Sequence, residues 1–241
     1  MTCPDWLLTK PIAHRGLHGE GKKRPENTMA AFRAAHDAGY AVELDVQRAG
    51  DGTVVVFHDP DLERLTDVDG RVDQMSAADL AAIPIMGGDE TIPTLKRLTE
   101  ELPGLPLLVE VKARDPELAP ATAAVLDDWG GQFAVQSFWP HHVQWFAENR
   151  PDWCRGLISY TSEKMAAHFI EPVFDPAWID DLHSPDFVAW WNRDLPAPVG
   201  RGAGDNKWSD LPVMTWTVRN EEDRARADAH ANNMIFEGFL P

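Results

Sequence analysis

Four short stretches carry residue types that do chemistry on charged oxygens. In Val42-Glu43-Leu44-Asp45-Val46 the alternation of an extended chain puts Glu43 and Asp45 on one face and the three apolar residues on the other. Two carboxylates at adjacent same-face positions repel unless a cation or a proton lies between them. Hard oxygen donors of this kind suit a divalent metal, Mg2+ or Ca2+. A strand with a solvated polar face would read the same way, so the pair alone leaves both accounts open. In Leu107-Leu108-Val109-Glu110-Val111-Lys112 the pattern returns, with Glu110 and Lys112 sharing a face of an otherwise apolar run. Glu110 is a candidate third oxygen ligand, and Lys112 is a point charge for a phosphate. An internal Glu–Lys pair with no ligand is the equal alternative.

The other two stretches end extended runs. His14-Arg15-Gly16 brings an imidazole, a guanidinium whose planar fork matches a phosphate, and a glycine that allows a sharp exit from a strand. His58-Asp59 brings a second imidazole. Two histidines can divide the work of general base and general acid, because imidazole titrates near neutral pH. His18, in the loop after His14, is a lesser candidate, and the remaining histidines are assigned no role.

These residues need elements to position them. Asn27 to Ala38 has apolar residues at helical spacing, and Gly39 suits its C-terminal cap. Extended runs are expected at Ile12-Ala13, Tyr40–Val46, Val54–Phe57, Leu107–Val111, Phe133–Phe138, Gly156–Ser159, Phe187–Trp191, Val213–Val218 and Met234–Phe239, with helical stretches between most of them. Strands that alternate with helices indicate an α/β fold with parallel strands. Nine runs exceed by one the eight of a TIM (β/α)8 barrel. Too few residues join Val46 to Val54 for a parallel crossover, so this pair is expected to form a hairpin near the C-terminal mouth. That hairpin would return His58 to the mouth where Glu43 and Asp45 end. Residues from about 60 to 100 look like a short insertion beside that mouth, with Ser76 and Asp79 placed as a capping box. The loop from Leu195 to Gly204 follows a strand and could act as a flap.

The 241 residues suit a single domain, and a hydrophobic content of 44% supports a sizeable core. The formal charge of -17 repels nucleic acid and anionic membranes, so neither is an expected partner. An anionic substrate would then require local cations, which a bound dication supplies most simply. Cys3 and Cys154 do not make a disulfide framework and are read as reduced thiols. The absence of a basic start followed by an apolar run points to a cytoplasmic protein.

Taken in order, His14-Arg15-Gly16, Pro25-Glu26-Asn27-Thr28 with Ala31-Phe32, Glu43-Leu44-Asp45-Val46, Asp51-Gly52 followed by Val55-Val56-Phe57-His58-Asp59, and Glu110-Val111-Lys112 resemble the glycerophosphodiester phosphodiesterase family, of the PLC-like phosphodiesterase superfamily. The resemblance is dense from about residue 11 to 113 and thinner through Gln136-Ser137-Phe138 and Trp216-Thr217-Val218. At the end it departs. Where many members carry a Gly-Ile-Ile-Thr-Asp-type strand, this chain has Ile235-Phe236-Glu237-Gly238-Phe239, which puts the substrate range in question.

The resemblance implies one barrel domain over residues 1–241 that hydrolyses glycerophosphodiesters to glycerol 3-phosphate and an alcohol. It matches His14 and His58 to the catalytic pair, and Glu43, Asp45 and Glu110 to the ligands of a divalent metal. Arg15 and Lys112 match phosphate contacts, and Trp216 matches an aromatic position near the substrate. One histidine would deprotonate the glycerol 2-hydroxyl, which attacks phosphorus to give a cyclic phosphate, while the other protonates the leaving alcohol. The rival expectation is a related barrel enzyme acting on lysophospholipids or phospholipids. It would need an apolar or basic rim, for which Phe138, Trp139, Trp190 and Trp191, at or just past the expected strands, are the candidates. Barrel packing explains them equally well.

Overall fold

The computed structural model describes residues 3–19, 21–160, 185–200 and 209–241. Its elements run α1 (Asp5–Thr9), β1 (Ile12–His14), α2 (Met29–Asp37), β2 (Ala41–Arg48), β3 (Val54–Val56), α3 (Ala77–Leu80), α4 (Leu95–Glu101) and β4 (Leu107–Val111). There follow α5 (Leu118–Asp127), β5 (Phe133–Ser137), α6 (Pro140–Asn149), β6 (Arg155–Ser159), β7 (Phe187–Trp191), β8 (Val213–Val218), α7 (Glu221–His230) and β9 (Asn233–Phe236). Each expected strand is present, although β9 stops at Phe236 rather than Phe239. The class is the α/β TIM barrel, eight barrel strands with β3 as an antiparallel extra. The chain divides into two compact units, Ala13–Phe133 and Met1–Ile12 with Ala134–Pro241.

In the first unit, α2 begins where the Thr28 hydroxyl accepts from Ala31 N at 3.4 Å. It ends before Gly39, whose φ of 79° is the left-handed conformation that glycine adopts without strain. Its Met29, Ala31, Phe32 and Ala35 are buried. The neighbouring β2 is buried along both faces up to Gln47. A solvated polar face is thereby excluded for Glu43 and Asp45, each only 1% exposed. β4 pairs with β2 in parallel, with Asp45 opposite Glu110, and this register sets the carboxylates of the two strands side by side.

The short connection after β2 makes the expected hairpin. β3 pairs antiparallel with the end of β2, Val46 opposite Val56 and Arg48 opposite Val54. Gly52, at φ 90°, helps turn the chain. From Phe57 to Thr94 the described chain forms short helices and isolated bridges. Ser76 caps α3 by accepting from Asp79 N at 3.2 Å. Leu62, Leu65, Val72, Leu80, Ile83, Ile85 and Ile92 pack with Val55 and Phe57 in an apolar cluster. The excursion closes on β3, where Val56 N donates to Pro93 O at 2.8 Å.

In the second unit, β5 to β9 follow one another as a parallel run. Trp190 is fully buried in an apolar cluster with Leu157, Val188, Val199 and Val213, and Phe138 is 4% exposed, so both serve packing. Cys3 and Cys154 are free and buried. Their sulfurs lie 3.6 Å apart, and Cys3 Sγ donates to Asp186 O at 3.3 Å. Of the loop proposed as a flap, residues 201–204 lie outside the described residues. Among the described residues no helix is long and apolar enough to cross a membrane.

Candidate active site

The first strand delivers its residues through an unusual turn. Arg15 has φ 57° and Gly16 φ 81°, two left-handed residues in succession. A Cβ at Gly16 would lie 2.9 Å from Ala31 Cβ and 3.0 Å from its carbonyl carbon, so α2 packs directly against the turn and only glycine fits. The turn is then tied to β2, because Arg15 N donates to Glu43 Oε2 at 3.1 Å. His14 Nε2 lies 4.0 Å from the same oxygen.

Asp45 is held from three directions. Asn27 Nδ2 donates to its Oδ2 at 2.9 Å. Arg15 Nε lies 3.4 Å from Oδ2, and Lys112 Nζ lies 3.7 Å from Oδ1. Lys112 also pairs with Glu110 at 2.8 Å, so the internal Glu–Lys pair exists, and it exists beside Asp45.

Ligand atoms of Glu43, Asp45 and Glu110 all lie within 4.8 Å of one another. The electrostatics of this trio are uneven. Burial, then the charges of Asp45 and Glu110, push the Glu43 carboxyl well above the usual range. Burial also raises Glu110, although Lys112 opposes it. Burial works against the charge on Asp45 too, yet the combined field of His58, Arg15, Lys112 and His14 holds it below the usual range. A trio with one firmly ionised member and two reluctant ones stands in want of positive charge. Three oxygen donors in that state fit a hard divalent cation.

His58 arrives on the hairpin. Phe57 N donates to Asp45 O at 3.0 Å, and Gln47 Nε2 donates to Phe57 O at 2.9 Å, so β2 itself fixes the end of the hairpin. His58 Nδ1 lies 2.6 Å from Asp59 Oδ1. Burial disfavours the Asp59 charge, but hydrogen bonds from His58 and Arg64 outweigh it and bring the carboxyl down to about 2. An ionised carboxylate only accepts, so in this pair the His58 Nδ1 carries the hydrogen.

All the sequence-derived site residues except one, His14, Arg15, Glu43, Asp45, His58, Glu110 and Lys112, fall in this unit. Trp216 lies on β8 of the other unit, where its indole N–H donates to Ala189 O at 3.0 Å and its ring meets Phe138 edge-on at 5.4 Å. Four residues carry site geometry without having been assigned a role from the sequence: Glu26, Asn27, Asp59 and Arg64. Asn27 sits at φ 55°, and Glu26 binds Arg15 Nη1 at 2.8 Å. Asp59 could have been read from its place next to His58. No local signal marks Arg64.

Residues 14–145 match the model of the glycerophosphoryl diester phosphodiesterase family. The Bacillus subtilis protein YhdW, named as a candidate glycerophosphodiester phosphodiesterase, is 34% identical over 246 residues, covering 90% of this chain and 89% of that one. A human lysophospholipase D is 35% identical over 122 residues, 45% of this chain and 38% of that protein. The aligned stretch thus spans less than half the length of that relative. A phosphodiesterase of Oleispira antarctica, solved in complex with the product sn-glycerol-3-phosphate, superposes with a TM-score of 0.78 at 24% identity, covering 95% of this chain and 93% of that one. That likeness carries the fold. The family match over more than half of the chain and the near full-length similarity to YhdW carry the rest, and the chain belongs to the glycerophosphoryl diester phosphodiesterase family.

Proposed function

We propose that this protein is a glycerophosphodiester phosphodiesterase, which hydrolyses a small glycerophosphodiester to glycerol 3-phosphate and an alcohol. The observation that supports it most is the buried trio of Glu43, Asp45 and Glu110 between two strand ends that carry imidazoles. The trio would hold Mg2+ or Ca2+. When bound, such an ion supplies Lewis acidity toward a phosphoryl oxygen. Arg15 and Lys112 share the negative charge of the phosphate. His14 takes the proton of the glycerol 2-hydroxyl, whose oxygen attacks phosphorus and expels the alcohol as a cyclic phosphate forms. His58 gives the leaving oxygen a proton from Nε2, a role that suits an imidazole anchored through Nδ1. Water opens the ring with the two roles reversed. We place this chemistry in the cytoplasm and on one barrel domain, with residues from about 60 to 100 as a small insertion.

A lysophospholipid is the second reading, favoured by the similarity to the human lysophospholipase D. The decisive assay uses metal-stripped protein and measures glycerol 3-phosphate release from a panel of glycerophosphodiesters, with Mg2+ or Ca2+ added back. A lysophosphatidylcholine arm reads its own phosphate product. Release from soluble diesters, dependent on the added metal, is the expected result. Turnover of the lysolipid alone moves the substrate to the second reading, and no turnover of either with any metal overturns both.

A further inference from the structure

Arg64 joins two carboxylates of the site, Glu26 and Asp59, through one side chain. Its Nη2 and Nη1 hold Glu26 Oε1 and Oε2 at 2.6 Å and 3.1 Å. Its Nε pairs with Asp59 Oδ2. Glu26 Oε1 is the oxygen that also holds Arg15 Nη1, and Asp59 is the carboxylate that holds His58 Nδ1. One guanidinium therefore closes a continuous line of charge-assisted contacts, His58–Asp59–Arg64–Glu26–Arg15.

The backbone beneath Arg64 is firm. Leu62 and Leu65, on either side, are buried in the apolar cluster of the excursion, and Thr66 N donates to Leu62 O at 3.0 Å. The Arg64 side chain itself is 45% exposed. Exposed ion pairs contribute little to stability, so a fold could dispense with this one. Its geometry, however, is specific. A planar fork that meets one carboxylate with two nitrogens and a second carboxylate with its third is something a lysine cannot reproduce.

The geometry points to Arg64 as a positioning residue, which sets His58 and Arg15 in register through Asp59 and Glu26. The inference rests on the reading of His58 and Arg15 given above, and it extends that reading into the excursion after the hairpin. Arg64 makes no contact with reacting atoms in this account. It fixes the Asp59 carboxylate, and so the imidazole tautomer with its hydrogen on Nδ1, and it fixes the Glu26 carboxylate that aims the Arg15 fork.

Two readouts test it, one without substrate. In metal-free protein labelled with 15N in histidine, the neutral His58 ring of the wild type should show a single tautomer protonated at Nδ1. Arg64→Ala should show a mixture with the Nε2–H form. In the assay of the proposed activity, Arg64→Ala should lose about 10- to 100-fold in kcat/KM, the usual scale for groups that orient a catalytic side chain. Guanidinium chloride at tens of millimolar should restore part of that loss, while sodium chloride at equal ionic strength should not. Arg64→Lys, which keeps charge without the fork, should recover less than half of the loss and serves as the readout if the alanine variant does not fold. Wild-type tautomer and wild-type kcat/KM in the variants would overturn the inference, as would a loss that guanidinium leaves untouched. If the wild type cleaves none of the diesters, the proposed function fails, and the tautomer measurement still decides the part played by Arg64.

Discussion

Asn27 and Asp45 hold each other reciprocally: Asn27 Nδ2 donates to Asp45 Oδ2 at 2.9 Å, and Asp45 N points back to Asn27 Oδ1 at 3.4 Å. Asn27 is buried and left-handed, at φ 55°. Asparagine tolerates that conformation better than most residues and can donate to a carboxylate. Asn27→Ala removes both properties and should destabilise the protein by about 2–3 kcal/mol, summing a lost bond to a charged group and backbone strain. Asn27→Asp keeps the shape but adds a fourth carboxylate, so its deficit should shrink as pH is lowered. Urea unfolding at two pH values checks both, and a neutral Asn27→Ala would sink the argument.

Metal and pH should act together on stability. Glu43 and Glu110 have folded pKa values raised above the ordinary 4.5. The folded metal-free protein then keeps protons that the unfolded chain releases, so their contribution is fully present below about pH 4.5 and fades as pH rises through the folded values. Asp45 is lowered from 3.8 and has the opposite sign, its contribution being lost only as pH falls below that value. The metal-free melting temperature should therefore decline from pH 5 upward, and Mg2+ or Ca2+ should raise it more at pH 8 than at pH 6. A metal-induced shift that is absent, or independent of pH, contradicts this account.

Glu43→Gln separates ligand from scaffold. The variant removes one charge from a crowded trio, so the metal-free fold should be as stable as the wild type or more so. Metal-dependent stabilisation and turnover should both fall by at least tenfold. Loss of the fold would mean that Glu43 is structural, through its bond from Arg15 N.

The two histidines should behave as one unit. His14→Ala and His58→Ala should each lower kcat by about 10²–10⁴-fold with smaller effects on KM. The double variant should be far from the product of the two, since a relay missing either member is already broken. A substrate lacking the glycerol 2-hydroxyl should bind and resist cleavage. Its turnover at the normal rate would exclude the cyclic phosphate.

Cys3 and Cys154 offer a check on the N-terminal segment. A hydrogen bond with Cys3, together with burial, pushes the Cys154 thiol well above the usual range. Thiolate is the reactive form, so Cys154 should resist alkylation in the native protein, Cys3 should be shielded by its burial, and both should react once the segment opens. Fast labelling of either by mass spectrometry would contradict the packing.

Much of this was legible in the sequence because its cause is local. Period two placed Glu43 with Asp45, and the shortness of the Val46–Val54 connection forced the hairpin that carries His58. The sequence could not choose between a solvated face and a buried one for Glu43 and Asp45, because burial depends on what covers a strand. Nor could it choose between an internal Glu110–Lys112 pair and a site, since the answer turns on the register with Asp45. The contacts of Glu26 and Arg64 span 38 residues and depend on how the excursion packs, which no short-range pattern encodes.

The excursion after β3 leaves and rejoins the hairpin at one place, with Val56 N on Pro93 O and a bridge between Val55 and Thr94. A segment stitched shut at its base does not transmit its length to what lies outside. Beyond Arg64 it is therefore a part of this unit that engineering can lengthen cheaply, each doubling of a flexible loop costing only ~0.6 kcal/mol of closure entropy. A reporter peptide or an affinity tag grafted after the exposed Asp69, with Val68 left packed on the apolar cluster, would sit on a part of the chain that carries its own small core.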